Sequence, residues 1–126
     1  MIHNMFLNTD SKFIWLNGSF QPFNQANIHL LSNTLHYGIG VFEGVRAYEN
    51  PEGGAIFRLN DHTKRLFDAA SKINISIPYS IEDLCEAQRS AMVKNNLLEG
   101  YIRPIVFLGS ESMGLRSQDS LSVNVL

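Results

Sequence analysis

The stretch LHYGIGVFEGVRAY, Leu35 to Tyr48, holds three glycines, three aromatic residues and one arginine. Two phosphate-loop readings fail at once. A dinucleotide-binding turn needs Gly-x-Gly-x-x-Gly between a strand and a helix, but Gly38, Gly40 and Gly44 are spaced Gly-x-Gly-x-x-x-Gly. A Gly-Lys-Ser/Thr loop is absent from the chain. What remains is a strand from Val41 to Tyr48. Successive strand side chains point to opposite faces, so Val41, Glu43, Val45 and Ala47 share one face and Phe42, Gly44, Arg46 and Tyr48 the other. Glycine inside a strand often marks the close approach of a ligand or another backbone.

Outward from this strand the chain alternates turns and amphipathic segments. Asn17-Gly18 supplies the positive φ angles of a two-residue hairpin between Phe13 to Leu16 and Ser19 to Pro22. Residues 23 to 40 are turn-rich, with one short helical turn expected after Ser32. Residues 49 to 54 form a loop, and Ala55 to Arg58 returns as the partner strand. Asn60 is the expected cap of a helix running to about Ile73, with Leu66, Ala69, Ala70 and Ile73 on its buried side. Ser80 opens a second helix from Ile81 to about Asn95, burying Leu84, Ala87, Ala91 and Leu98. YIRPIVFLG, residues 101 to 109, is the next strand, followed by a polar loop over 110 to 120 and a last strand from Leu121 to Leu126. Strands, two helices, then strands without regular βαβ alternation predict a two-layer α+β domain with a mostly antiparallel sheet.

The strand faces carry the chemistry. Tyr101 and Arg103 share a face with Ile105 and Phe107, as Arg46 does with Phe42. An unpaired buried guanidinium costs several kcal/mol, so each arginine needs a carboxylate, a phosphate or water. Two aromatic-flanked arginines fit a pocket for a small molecule with one acidic and one apolar end. The alternative is pairing with an internal acid such as Glu43 or Asp61, or a stem that carries the charge to solvent.

Bulk properties exclude several classes. A chain of 126 residues suits one domain with one core. A net charge of −2 with no basic stripe argues against nucleic acid. One cysteine, Cys85, excludes an internal disulfide and suits a reducing compartment. His3, His29, His36 and His62 make no metal-ligand spacing. The first residues lack a basic region leading into an apolar run, and no window reaches the roughly 18 apolar residues of a membrane helix. A cytoplasmic protein free of membrane is expected.

Three motifs in order, HYGIGVFEGVRAY, IFRLNDHTKRL and YIRPIVFLG, strongly resemble the fold-type IV pyridoxal-phosphate aminotransferases. Within that group the chain is most similar to the branched-chain amino acid aminotransferases, from IWLNG at Ile14 to the MGL turn at Leu115. The runs FEGVR and YIRP favour these over D-amino acid transaminases and aminodeoxychorismate lyases. The resemblance implies pyridoxal 5'-phosphate as cofactor, branched-chain amino acids, glutamate and 2-oxo acids as substrates, and a homodimer or higher homo-oligomer. It implies that Arg65 binds the cofactor phosphate, although from the residues alone Arg65 reads as a solvated helix arginine. It implies that Tyr101 helps hold the substrate α-carboxylate and that Arg103 receives the distal carboxylate of glutamate. Phe42 and Gly44 would line the side-chain pocket, with Arg46 at its periphery. Tyr37 and Leu115 would reach the pocket of the neighbouring subunit.

One part of the resemblance is missing. The reaction needs a lysine that bonds the cofactor and shuttles a proton. Lys12, Lys64, Lys72 and Lys94 stand in no motif resembling it. The expectation is therefore a small N-terminal domain, residues 1–126, cut before a second domain that carries the lysine. By itself this domain is expected to be inactive. The competing reading is a short ligand-binding or interaction module.

Overall fold

The computed structural model describes residues 13–110 and 121–125. Strand β1 (Phe13–Leu16) and strand β2 (Ser19–Pro22) form the expected hairpin, with Leu16 opposite Ser19. Its turn is made by Asn17 at φ 49° and Gly18 at φ 95°. Helix α1 (Asn33–Tyr37) is the short turn after Ser32. Gly38 closes it in the left-handed conformation at φ 66°, where a side chain would be strained.

The strand expected from Val41 to Tyr48 is broken in two. Strand β3 (Gly40–Phe42) and strand β4 (Val45–Asn50) flank a gap at Glu43 and Gly44 and join different sheets. The strand expected over 101 to 109 breaks too, into β6 (Gly100–Ile102) and β7 (Pro104–Leu108), with Arg103 between them. The two breaks face each other. Phe42 pairs with Ile105 and Val45 with Ile102, so one antiparallel register runs through the gap. The Glu43 amide donates to the Pro104 carbonyl at 3.0 Å. Pro104 has no N–H to return the bond, and the ladder lapses there.

The ribbon links two antiparallel sheets. One has the order β2-β1-β8-β7-β3, with β8 (Leu121–Val125) inserted between β1 and β7. The other has the order β5-β4-β6, where β5 (Gly53–Ile56) starts earlier and stops sooner than its expected 55 to 58 span.

Helix α2 (Leu59–Lys72) begins ahead of the expected cap. Arg58 is its N-cap in a left-handed conformation at φ 49°, and Asn60 lies inside the first turn. Helix α3 (Ile81–Lys94) starts as expected at Ser80, through a reciprocal capping box with Asp83. The Ser80 hydroxyl accepts from the Asp83 amide at 3.0 Å, and the Asp83 carboxylate accepts from the Ser80 amide at 2.8 Å. Leu66 and Ala70 from α2 and Leu84, Cys85, Ala87 and Ala91 from α3 are buried. They cover the strand face that carries Val45, Ala47, Ile102 and Val106. Ile73 and Leu98, expected inside, lie exposed beyond the helix ends.

The opposite strand face is open, exposing Phe42, Tyr48 and Tyr101. Phe107 departs from this pattern. Its register partner Gly40 puts it on the open face, yet it is only 6% exposed. Helix α1 lies over that end of the ribbon, held by the Leu108 amide on Thr34 Oγ1 at 2.7 Å and the Asn33 amide on the Gly109 carbonyl at 3.0 Å. Among the described residues, no helix is long and apolar enough to cross a membrane.

Candidate functional site

The gap in the ribbon is where the site residues meet. Arg103 sits at the break, and its guanidinium carbon lies 4.3 Å from the centre of the Phe42 ring and 5.2 Å from that of Tyr101. Its Nη2 donates to the Tyr101 hydroxyl at 2.8 Å. Its Nε is buried without a hydrogen-bond partner among the described residues. Gly44 is the floor beneath Tyr101. A Cβ at this position would overlap the Tyr101 hydroxyl and stand 2.8 Å from Cζ, so only glycine leaves room for the ring where it is. Arg46 is the register partner of Tyr101 and projects from the same face into solvent. The arrangement sets an aromatic wall, a hydroxyl and a cation side by side, with a second cation near.

A second cluster occupies the other side of the same gap. Glu43 turns to the helix-covered face and is only 6% exposed. Arg65 of α2 clasps it with two bonds, Nε to Oε1 at 2.5 Å and Nη2 to Oε2 at 2.8 Å. His62, one turn earlier, donates from Nδ1 to the same Oε2 at 3.0 Å. The Arg65 hydrogen bond holds the Glu43 carboxyl below the usual carboxylate range, against burial, which pushes it up; His62 adds to the lowering. Glu43 in turn raises Arg65, which is already cationic at any ordinary pH.

A family model for amino-transferase class IV matches residues 40–125. The chain belongs to the class IV aminotransferases. The branched-chain-amino-acid aminotransferase of Pseudomonas aeruginosa is 55% identical over 113 residues, which cover 90% of this chain and 36% of that protein. The Escherichia coli K12 enzyme of the same name is 40% identical over 114 residues, covering 90% of this chain and 37% of its own. A solved structure of the branched-chain aminotransferase from the thermophilic archaeon Thermoproteus uzoniensis with norvaline superposes at a TM-score of 0.85 and 36% identity. It is covered over 40% of its length, against 92% of this chain. The chain thus spans a little over a third of the length of the curated relatives it matches.

Within this class IV aminotransferase chain, the ribbon gathers Phe42, Gly44, Arg46, Tyr101 and Arg103 on one face, as strand alternation predicts. Among the described residues, the two acids expected as partners of Arg46 and Arg103 are engaged elsewhere, and Arg46 carries its charge to solvent, as the second alternative expects. Glu43 is taken by Arg65 and His62, and Asp61 by Arg58 at 2.8 Å. Tyr37 stands apart on α1, half exposed, its ring 6.3 Å from that of His36. Leu115 lies outside the described residues. A groove of about 630 Å³ runs between β5 and the two long helices, lined by Gly54, Ile56, Asn60, Met92 and Leu98 among others. It holds none of the expected site residues.

Sequence reasoning missed Glu43 and His62 as a unit with Arg65. The signal was present. Alternation puts Glu43 on an apolar face with Val41, Val45 and Ala47, where a carboxylate requires a cation. His62 and Arg65, three apart, share one side of the helix that covers that face.

Proposed function

We propose that the chain is the small N-terminal domain, residues 1–126, of an enzyme that transfers the amino group of leucine, isoleucine or valine to 2-oxoglutarate. The rest of the relatives' length would supply the catalytic lysine. The observation that carries this reading is the Arg103 guanidinium stacked over Phe42 beside the Tyr101 hydroxyl. One pocket must take an alkyl group in one half-reaction and a second carboxylate in the other, and this arrangement offers a surface for each. Phe42 forms the apolar wall, and Gly44 keeps it wide. Tyr101 orients the α-carboxylate, and the forked donors of Arg103 receive the distal one. Arg46 borders the entrance. Tyr37, exposed on α1, would reach the neighbouring subunit's pocket in a homodimer or higher homo-oligomer.

Pyridoxal 5'-phosphate, when bound, supplies the carbonyl that exchanges with the amino group and a sink for the electrons released at the substrate Cα. The donor set here fits its phosphate. Arg65 spends Nε and Nη2 on Glu43, and its side chain is 68% exposed. Nη1 faces no acceptor among the described contacts and is left to hold a phosphate oxygen. Cytoplasmic conditions suit the buried free thiol of Cys85.

The test is an assay of the complete enzyme with pyridoxal phosphate and 2-oxoglutarate, comparing L-leucine, L-isoleucine and L-valine with D-alanine. Glutamate is expected from the three L-amino acids. Turnover of D-alanine alone would replace this reading with D-amino acid transamination.

A further inference from the structure

We propose that Glu43 is a positioning residue for the cofactor phosphate, acting through Arg65. The inference rests on the assignment of Arg65 as the phosphate ligand and goes beyond it. Arg65 is a long, mostly exposed side chain on a helix, and such a side chain samples many rotamers. Its hydrogen-bond partner among the described residues is Glu43, which engages two different nitrogens of the guanidinium. Two bonds to a planar group fix its plane as well as its position. The edge carrying Nη1 is then held in one direction before any ligand arrives.

Glu43 is suited to hold it. Its backbone is tied to Pro104 at the gap in the ribbon, its side chain is nearly buried, and His62 fixes Oε2 from one helical turn away. The carboxylate therefore moves little, and what it grips inherits that rigidity. The same gap displays Phe42, Gly44 and Arg103 on its opposite face, so one pair of ribbon breaks registers the phosphate anchor against the substrate wall. An arginine freed from Glu43 keeps its charge and loses its aim. Phosphate binding would then have to order the side chain, a cost the clasped form has already met.

The experiment compares pyridoxal phosphate with pyridoxal, which lacks the phosphate, by absorbance titration of the complete apoenzyme carrying Arg65→Ala, Glu43→Gln, Glu43→Asp or the double change Glu43→Gln with Arg65→Ala. Arg65→Ala is expected to weaken pyridoxal phosphate by about 100-fold and to leave pyridoxal unchanged, from the loss of a charge-assisted contact. Glu43→Gln, which keeps the shape and loses one acceptor, is expected to weaken pyridoxal phosphate about 5- to 10-fold, again sparing pyridoxal. Added to Arg65→Ala it should cost nothing more, because both act through one contact. If Glu43→Gln does not fold, Glu43→Asp keeps the charge but withdraws the carboxylate, and the same selective loss is expected. Arg65→Ala losing the phosphate preference while both Glu43 variants keep it would overturn the positioning role and leave the Arg65 assignment standing. Equal loss of pyridoxal and pyridoxal phosphate in the Glu43 variants would also overturn it, as a general structural defect. No effect of Arg65→Ala would overturn the assignment and the inference together.

Discussion

Gly44→Ala should damage activity while leaving the fold intact. The new Cβ would lie 2.8 Å from Tyr101 Cζ, where ordinary contact begins at 3.4 Å. The ring must retreat by about 0.6 Å at Cζ, from these two distances, and by more at the hydroxyl. That movement breaks the 2.8 Å bond from Arg103 Nη2 to Tyr101 and loosens the stack on Phe42. A hydrogen bond to a charged group contributes about 1.5–3 kcal/mol. Tyr101 is 52% exposed, so solvent screening brings the effect to the bottom of that range or just below it, about 1–1.5 kcal/mol. At roughly 1.4 kcal/mol per factor of ten, kcat/KM should fall about tenfold for leucine and for glutamate. Stability should hold, because Gly44 has no left-handed φ and the displaced ring is half exposed. Gly53→Ala is the control. Gly53 has φ 128° with nothing near its Cβ, so alanine there costs stability and spares activity. Steady-state kinetics and thermal melting on both variants separate the outcomes. Wild-type kinetics in Gly44→Ala would refute the proposed coupling of Gly44, Tyr101 and Arg103.

Three further outcomes are expected. Arg103→Ala should impair the glutamate half-reaction more than the leucine half-reaction, since only glutamate brings a second carboxylate; single-turnover rates with each amino acid measure this, and equal losses would remove the role from Arg103. The folded-state pKa of Glu43 lies below its unfolded value of 4.5, so its contribution to stability is complete above about pH 4.5 and is lost as pH falls through the folded value. Urea midpoints of the wild type should therefore drop more steeply below about pH 4.5 than those of Glu43→Gln, and parallel curves would show that the Arg65 clasp adds no acid-sensitive stability. The 126-residue chain itself should fold, self-associate through its bare face with Phe42, Tyr48 and Tyr101, and form no glutamate from leucine and 2-oxoglutarate above the rate of free pyridoxal phosphate. Light scattering at the monomer mass would count against the association, and activity above that rate against the need for a further lysine.

Much of this molecule was legible in its sequence because its signals are local. Two residues, Asn17 and Gly18, specify a hairpin through the backbone angles they adopt, and Ser80 with Asp83 specifies a helix start through bonds three residues apart. Strand alternation separates Glu43 from Phe42 and Arg46 whatever the rest of the chain does, because a pleated backbone has only two faces. The three motifs that resemble the fold-type IV aminotransferases are likewise short runs.

Other features needed the tertiary structure, because each depends on groups far apart in sequence. The strand break at Glu43 and Gly44 comes from Pro104, which cannot return a ladder bond to a partner some sixty residues earlier. Phe107 is buried at the end of the ribbon where Thr34 and Asn33 tie α1 to Leu108 and Gly109. Arg58 rather than Asn60 opens α2, since the chain leaving β5 must turn sharply to lay the helix on the sheet. The partner of Glu43 was undetermined among several cations until α2 docked with His62 and Arg65 toward it. Alternation declares that a buried carboxylate needs a cation, but only packing decides which one, because a charge pair forms where distance and desolvation together favour it.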